Sequence, residues 1–323
     1  MQFSRYLTYR KSSSLIRFWP WVLKIGLAAA SFYYVFSKLL EEKLLLSEVE
    51  DLFKSFDFTF IILLVVILMI LNWFLESKKW QLLAKQFQSI SIVQAFKAIL
   101  AGVSLDAVLP FGAGAIGSKV LSLNGSGRQK LIGPVIIAQS IQSFFTIAFG
   151  VIGIAQLAKM TNVLSLYSGV QVSILILVLT GLLTLGISKL LPEKKAYYVE
   201  AIKEVSKTVW INIVVLSFFR YVIFLVQLLL IATYLAPEIP ILVLVGCITW
   251  MFFAKTIVPK PGHLGAVGIR GASVVFFLGL AGYSAGNVVL ATLILWVINL
   301  AIPSLLGLFF IKNLSLNPEV SND

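Results

Sequence analysis

Six apolar runs dominate the chain: about Trp21 to Leu40, Phe60 to Leu75, Pro134 to Ala158, Gln171 to Leu191, Trp210 to Leu235 and Val288 to Ile311. At about 16 to 25 residues each, they suit a helix crossing roughly 30 Å of hydrocarbon and exceed the roughly ten residues of a barrel strand. Lipid offers backbone groups no hydrogen-bond partner, so spans of this length close their bonds internally as helices. Hydrophobic residues make up 59% of the 323 and charged residues 12%, leaving too little polar surface for a soluble fold of this size. The expected class is an all-α polytopic membrane protein.

One cysteine, Cys247, and one histidine, His263, exclude a disulfide framework, a thiolate metal cluster and a Cys/His dyad within the chain. No metal and no cofactor are expected. The formal charge of +12 is not gathered into a long basic soluble segment, so cytoplasmic loops and anionic lipid, rather than nucleic acid, are its expected partners. Arg5, Arg10, Lys11 and Arg17 precede the apolar run from Trp21 in the charge order of a signal peptide, and Ala28 to Ala30 resemble a cleavage site. The repeat described next uses this segment as a span, so retention is expected.

Two further apolar regions, Ala98 to Leu123 and Ile239 to Gly282, are interrupted by proline and glycine. At an offset of 151, Pro110 falls on Pro261, Gly114 on Gly265, Ala115 on Ala266, Gly117 on Gly268 and Lys119 on Arg270. The same offset carries the first three spans onto the last three, so each half reads span, span, broken segment, span. The expected divisions are a basic cytoplasmic N-terminus (1–20), a first membrane repeat (21–160), a second (161–312) and a short tail (313–323).

Charge sets the orientation. The N-terminal tail is basic without an acid, whereas the first loop holds Glu41, Glu42, Glu48, Glu50, Asp51 and Asp57. Both termini are therefore expected in the cytoplasm. Lys78, Lys79, Lys85 and Lys97 precede the first broken segment and Arg128 and Lys130 follow it, as for a hairpin that enters from the cytoplasm and returns. No basic residue flanks the second, as for a hairpin entering from outside. Three full crossings per half give an inverted repeat with two re-entrant hairpins, a pattern that points to a transport site near the midplane. A rival topology, with each broken segment crossing as a kinked helix pair, also fits.

Asp106, Lys119, Arg220, Lys255 and Arg270 fall within or beside the apolar stretches, at a cost of about 2.5 to 3.5 kcal/mol each at the bilayer centre. Asp106 is the one acid in this set, so basic groups are left seeking an anion, most simply a lipid phosphate. The broken-motif glycines allow close backbone approach, and a half-helix resuming after them offers N–H groups to an anion. Lys119 and Arg270 are the first candidates for headgroup contact, Arg270 with a bidentate fork. Other readings stand beside these. Gly262, Gly265, Gly268 and Gly271 suit close helix packing; Lys255 and Lys260 suit snorkelling to water; Arg220 suits a structural pair with Asp106; His263 suits an ordinary polar contact. Gln139, Gln142, Ser143 and Thr146 form a polar face that serves either a headgroup path or interhelical hydrogen bonds.

On Asn72 to Trp80, Pro110 to Lys119 and Pro261 to Arg270, the chain resembles the transmembrane-region family of lysylphosphatidylglycerol synthases, over Trp21 to Lys312. The resemblance implies a bacterial inner-membrane protein, the membrane part being regarded as a flippase in synthases that carry an added soluble domain. Many relatives place an acid where this chain has Ala115 and often another at Ala266, four residues before the cation. Its absence is expected to leave Lys119 and Arg270 freer for a ligand. About ten residues follow Lys312, so synthesis by a soluble aminoacyl-transferase domain is not expected.

The leading expectation is translocation of an anionic phospholipid or isoprenoid-phosphate lipid between leaflets. No P-loop pattern is present, and an anion leaving a negative interior gains about 2.3 kcal/mol per charge per 100 mV. Two alternatives are a membrane-embedded transferase, for which Asp106 and His263 are the acid–base candidates, and a noncatalytic partner subunit. A homo-oligomer or an association with a lipid-synthesis partner is compatible with each.

Overall fold

The computed structural model describes residues 52, 54–107, 109, 112–161, 200–258 and 262–315. The regular secondary structure among these residues is helical, with no strand. The helices are α1 (Phe56–Ala84), α2 (Ile92–Asp106), α3 (Ala113–Leu121), α4 (Ile132–Thr161), α5 (Lys207–Leu235), α6 (Ile241–Ile257), α7 (Gly262–Leu280), α8 (Gly286–Trp296) and α9 (Ile302–Leu308). Four helices are long and apolar enough to cross a membrane: Phe56–Ala84, Arg128–Lys159, Lys207–Leu235 and Gly286–Leu308. They coincide with four of the expected spans; Trp21 to Leu40 and Gln171 to Leu191 lie outside the described residues.

α1 and α5 run long because neither contains proline or glycine, and each starts at a serine N-cap. Ser55 accepts from the Phe58 N–H and Ser206 from the Val209 N–H, each satisfying an orphan donor of the first turn. The two helices pack against each other antiparallel. Tyr234 meets Ser55 and Phe58, Gln227 meets Val65, and Arg220 meets Asn72 and Glu76, so numbers rise along one helix as they fall along the other. Advanced by 151, the bounds of α1, Phe56–Ala84, fall on Lys207–Leu235, those of its antiparallel neighbour.

Each broken segment is a pair of packed helices. In the first, α2 ends at Asp106 and α3 starts after Gly112, whose φ of 71° is a left-handed conformation that glycine adopts without steric cost. In the second, α6 ends before Pro259; Val258 is extended (φ −78°, ψ 124°), as a residue preceding proline is driven to be. With 15 residues, α2 is about 22 Å long, short of the hydrocarbon thickness.

Among the described residues two large apolar cores result, beside a small cluster of Ile147, Ile154 and Phe253. One joins the C-terminal end of α1, the N-terminal end of α5 and the first hairpin, with Trp80, Leu83, Ala98, Val120 and Ile213. The other joins the opposite ends of α1 and α5 with the second hairpin and α8, through Phe58, Ile231, Leu244, Met251 and Phe277. Small residues let the hairpins approach the long helices. α2 lies against α9 at Gly307, where any Cβ would strike the Leu100 carbonyl; α6 lies against α4 at Gly153, where it would strike the Gly246 carbonyl.

The last long helix is not regular. Pro303 lacks an N–H for the Asn299 carbonyl and its ring crowds that turn, and the backbone widens into a π segment over Val297–Ala301. The same turn delivers the Asn299 side chain to Gln227, with which it exchanges two hydrogen bonds of 2.9 and 3.2 Å.

Candidate functional site

Between the antiparallel pair and the first hairpin, one carboxylate is shared by three cations. Glu76 of α1 accepts from Lys119 of α3 at 2.6 Å and from Arg220 of α5 at 2.5 Å, and lies 3.2 Å from Lys79 one turn further along α1. All four residues are buried. Arg220 is fixed further: its Nε donates to the Asn72 side chain at 3.0 Å, a terminal nitrogen donates to Gln142 at 3.3 Å, and the guanidinium lies over the rings of Trp73 and Phe224. Gln142 of α4 also accepts from Lys79 at 3.4 Å and donates to the Ser217 carbonyl at 3.2 Å.

These groups line a cavity of about 220 Å³ whose wall also includes Asp106, Ser118, Gln139 and Ser143. Among the described residues, three cations face two carboxylates there, one positive charge in excess. Of the polar face, Gln139, Gln142 and Ser143 line the cavity, Gln142 makes an interhelical bond to the Ser217 carbonyl, and Thr146 bonds to the Gln142 carbonyl of its own helix.

Several expectations need correction. Arg220 pairs with Glu76, not with Asp106, because α5 packs along α1 and brings the guanidinium to that carboxylate. Lys119 is not left free by alanine at position 115; an acid from another helix supplies what the preceding turn lacks. The first turn of α3 does not offer all its N–H groups to a ligand either. The Asp106 carboxylate already accepts from the Ala115 N–H at 3.0 Å, the position an external anion would take. Gly114 fits this arrangement, since a Cβ there would collide with the Asp106 backbone, whereas Gly117 faces open space.

Glu76 and Lys79 were not among the expected site residues. The apolar run stops at Leu75, which placed them in a flank, yet no helix breaker separates Leu75 from Ala84. Their i, i+3 spacing inside Asn72 to Trp80 was the available signal.

The remaining candidates lie elsewhere. Arg270 is buried on α7 and does not line the Glu76 cavity. Lys255 sits 5.6 Å over the Phe252 ring at the end of α6. Gly265 and Gly268 are buried in α7, and His263 belongs to its first turn. Pro110, Lys260 and Pro261 lie outside the described residues.

The chemistry available here is that of lysine and arginine N–H donors, which pair with anionic groups by charge and by directed bonds. No curated protein and no solved structure matches the chain. The family model described as Lysylphosphatidylglycerol synthase TM region matches residues 21–307, nearly the whole sequence. The chain belongs to that membrane family, the lysylphosphatidylglycerol synthase transmembrane region.

Proposed function

We propose that the protein moves an anionic lipid between bilayer leaflets, its headgroup passing through the Glu76 cavity. The observation that carries this reading is the sharing of one buried carboxylate by Lys79, Lys119 and Arg220, which among the described residues leaves an excess positive charge at a polar-walled cavity. Family membership supports a role on lipid in the membrane. The lipid phosphate competes with Glu76 for the same donors, and the excess cation offsets the charge that the phosphate brings in. An outward-moving anion gains about 2.3 kcal/mol per charge per 100 mV, enough to drive the step without a nucleotide.

The architecture proposed with it is an inverted repeat in a bacterial inner membrane, with two hairpins entering from opposite faces and both termini cytoplasmic. The antiparallel packing of α1 and α5, which correspond at the 151-residue offset, supports the inversion. The placement of the hairpins at opposite ends of that helix pair, and the shortness of α2, support the re-entrant form.

The test is reconstitution into liposomes carrying a fluorescent phosphatidylglycerol whose outer-leaflet copies are chemically quenched. The native chain is expected to expose the inner-leaflet copies. Lys119→Ala is expected to slow this roughly 10- to 150-fold, the equivalent of losing a charge-assisted contact of about 1.5–3 kcal/mol. Glu76 keeps Lys79 and Arg220 in that variant, so the fold survives. Equal rates for the two proteins, or chemical transfer of a group to the lipid in place of movement, would overturn the reading.

A further inference from the structure

Arg270 corresponds to Lys119 at the 151-residue offset, yet its surroundings differ in one respect. Lys119 meets Glu76; advanced by 151, Glu76 falls on Gln227. Gln227 is uncharged and already occupied, donating to the Val65 carbonyl at 2.8 Å and exchanging bonds with Asn299. The second half therefore keeps the cation and has replaced the acid.

Arg270 is 6% exposed, and among the described residues its Nε has no hydrogen-bond partner and no carboxylate pairs with it. The apolar runs Trp21 to Leu40 and Gln171 to Leu191 contain no acidic residue that would supply one within the membrane. An arginine does not escape this cost by losing its proton. A buried charge without a counter-charge costs several kcal/mol, so the protein gains when an anion arrives from outside.

We infer that Arg270 is the core of a second anion site, separate from the Glu76 cavity, that takes a phosphate group through the guanidinium fork. Planar paired donors suit two phosphate oxygens, and its place in a helix of a membrane protein favours a phosphate carried by lipid. The inference deepens the translocation reading by giving the path a second station, but it stands on binding and not on transport. The two stations differ in kind. At Glu76 an incoming phosphate competes with a resident carboxylate, whereas at Arg270 nothing among the described residues has to be displaced.

Bound lipids are counted by native mass spectrometry on the full chain in neutral detergent, with phosphatidylglycerol and, as the uncharged control, phosphatidylcholine. The native protein is expected to retain two phosphatidylglycerol molecules beyond the control, Arg270→Met one, and Lys119→Met one. Thermal unfolding without added lipid provides the second readout. Arg270→Met is expected to unfold at the same temperature as the native chain or higher, because the substitution removes an uncompensated charge, while Arg270→Lys keeps the charge and gains no stability.

Retention of the native lipid count by Arg270→Met, together with an unchanged response to inorganic phosphate, overturns the inference. So does a lower unfolding temperature for Arg270→Met in lipid-free detergent, since that loss means the guanidinium already holds a partner inside the protein. If Arg270→Met loses a lipid while Lys119→Met loses none, the second site stands and the Glu76 reading falls. Inorganic phosphate forms a further arm: a rise in unfolding temperature seen in the native chain and missing in Arg270→Met, without phosphatidylglycerol retention, assigns the site to a free anion.

Discussion

Glu76 holds Lys79, Lys119 and Arg220 together, and its removal leaves three buried cations facing one another. Breaking a buried pair in this way costs about 3–5 kcal/mol, and Glu76→Gln is expected to lower the unfolding free energy by that amount in denaturant titrations. Arg220→Met in the same background should recover part of the loss, with a coupling of about 0.5–3 kcal/mol in a double-mutant cycle; strict additivity would show that the two side chains act independently. Lys119 and Arg220 were legible in the sequence because a charge inside an apolar run is costly and conspicuous. Glu76 was not, because hydropathy fades at Leu75 while the helix continues to Ala84, and only the packing of α5 along α1 gives that acid its partners. Asp106 was legible as a residue, whereas its bond to the first turn of α3 was not, since that depends on how the chain turns at Gly112.

The helices show which glycines serve packing. Gly307→Ala places a methyl group against the Leu100 carbonyl of α2 and is expected to cost about 1–3 kcal/mol, read as a lower unfolding midpoint. Gly117→Ala meets nothing within 4 Å and should stabilise α3 by about 0.5–1 kcal/mol through helix propensity; a loss there would show that the open face is occupied in the membrane. That each of the two segments breaks into a pair of helices was readable from proline and glycine alone, because these residues break a helix wherever it stands. The π segment at Val297–Ala301 was not, since Pro303 is compatible with a kink, a break or a widened turn, and the bonds between Asn299 and Gln227 accompany the last of these.

For the whole molecule, the helical membrane class was legible in the apolar runs, and the bounds of α1 and α5 stand at the 151-residue offset on which the proposed repeat of two halves rests. Single cysteines in a chain lacking Cys247 test the orientation proposed for them. A membrane-impermeant maleimide added outside intact cells should label Glu238→Cys and spare Ser89→Cys, with the reverse in inverted vesicles; labelling of both from one side would end the inverted arrangement. The cluster around Glu76 also bears on biosynthesis. Its acid and its arginine are separated by 144 residues, and at about 5–20 residues per second the ribosome needs about 7–30 s to deliver the second after the first. Until then the nascent N-terminal portion holds its carboxylate with lysines only, so the insertion machinery or a chaperone has reason to shelter it, and a chain stalled before Arg220 should be cleared by membrane proteases.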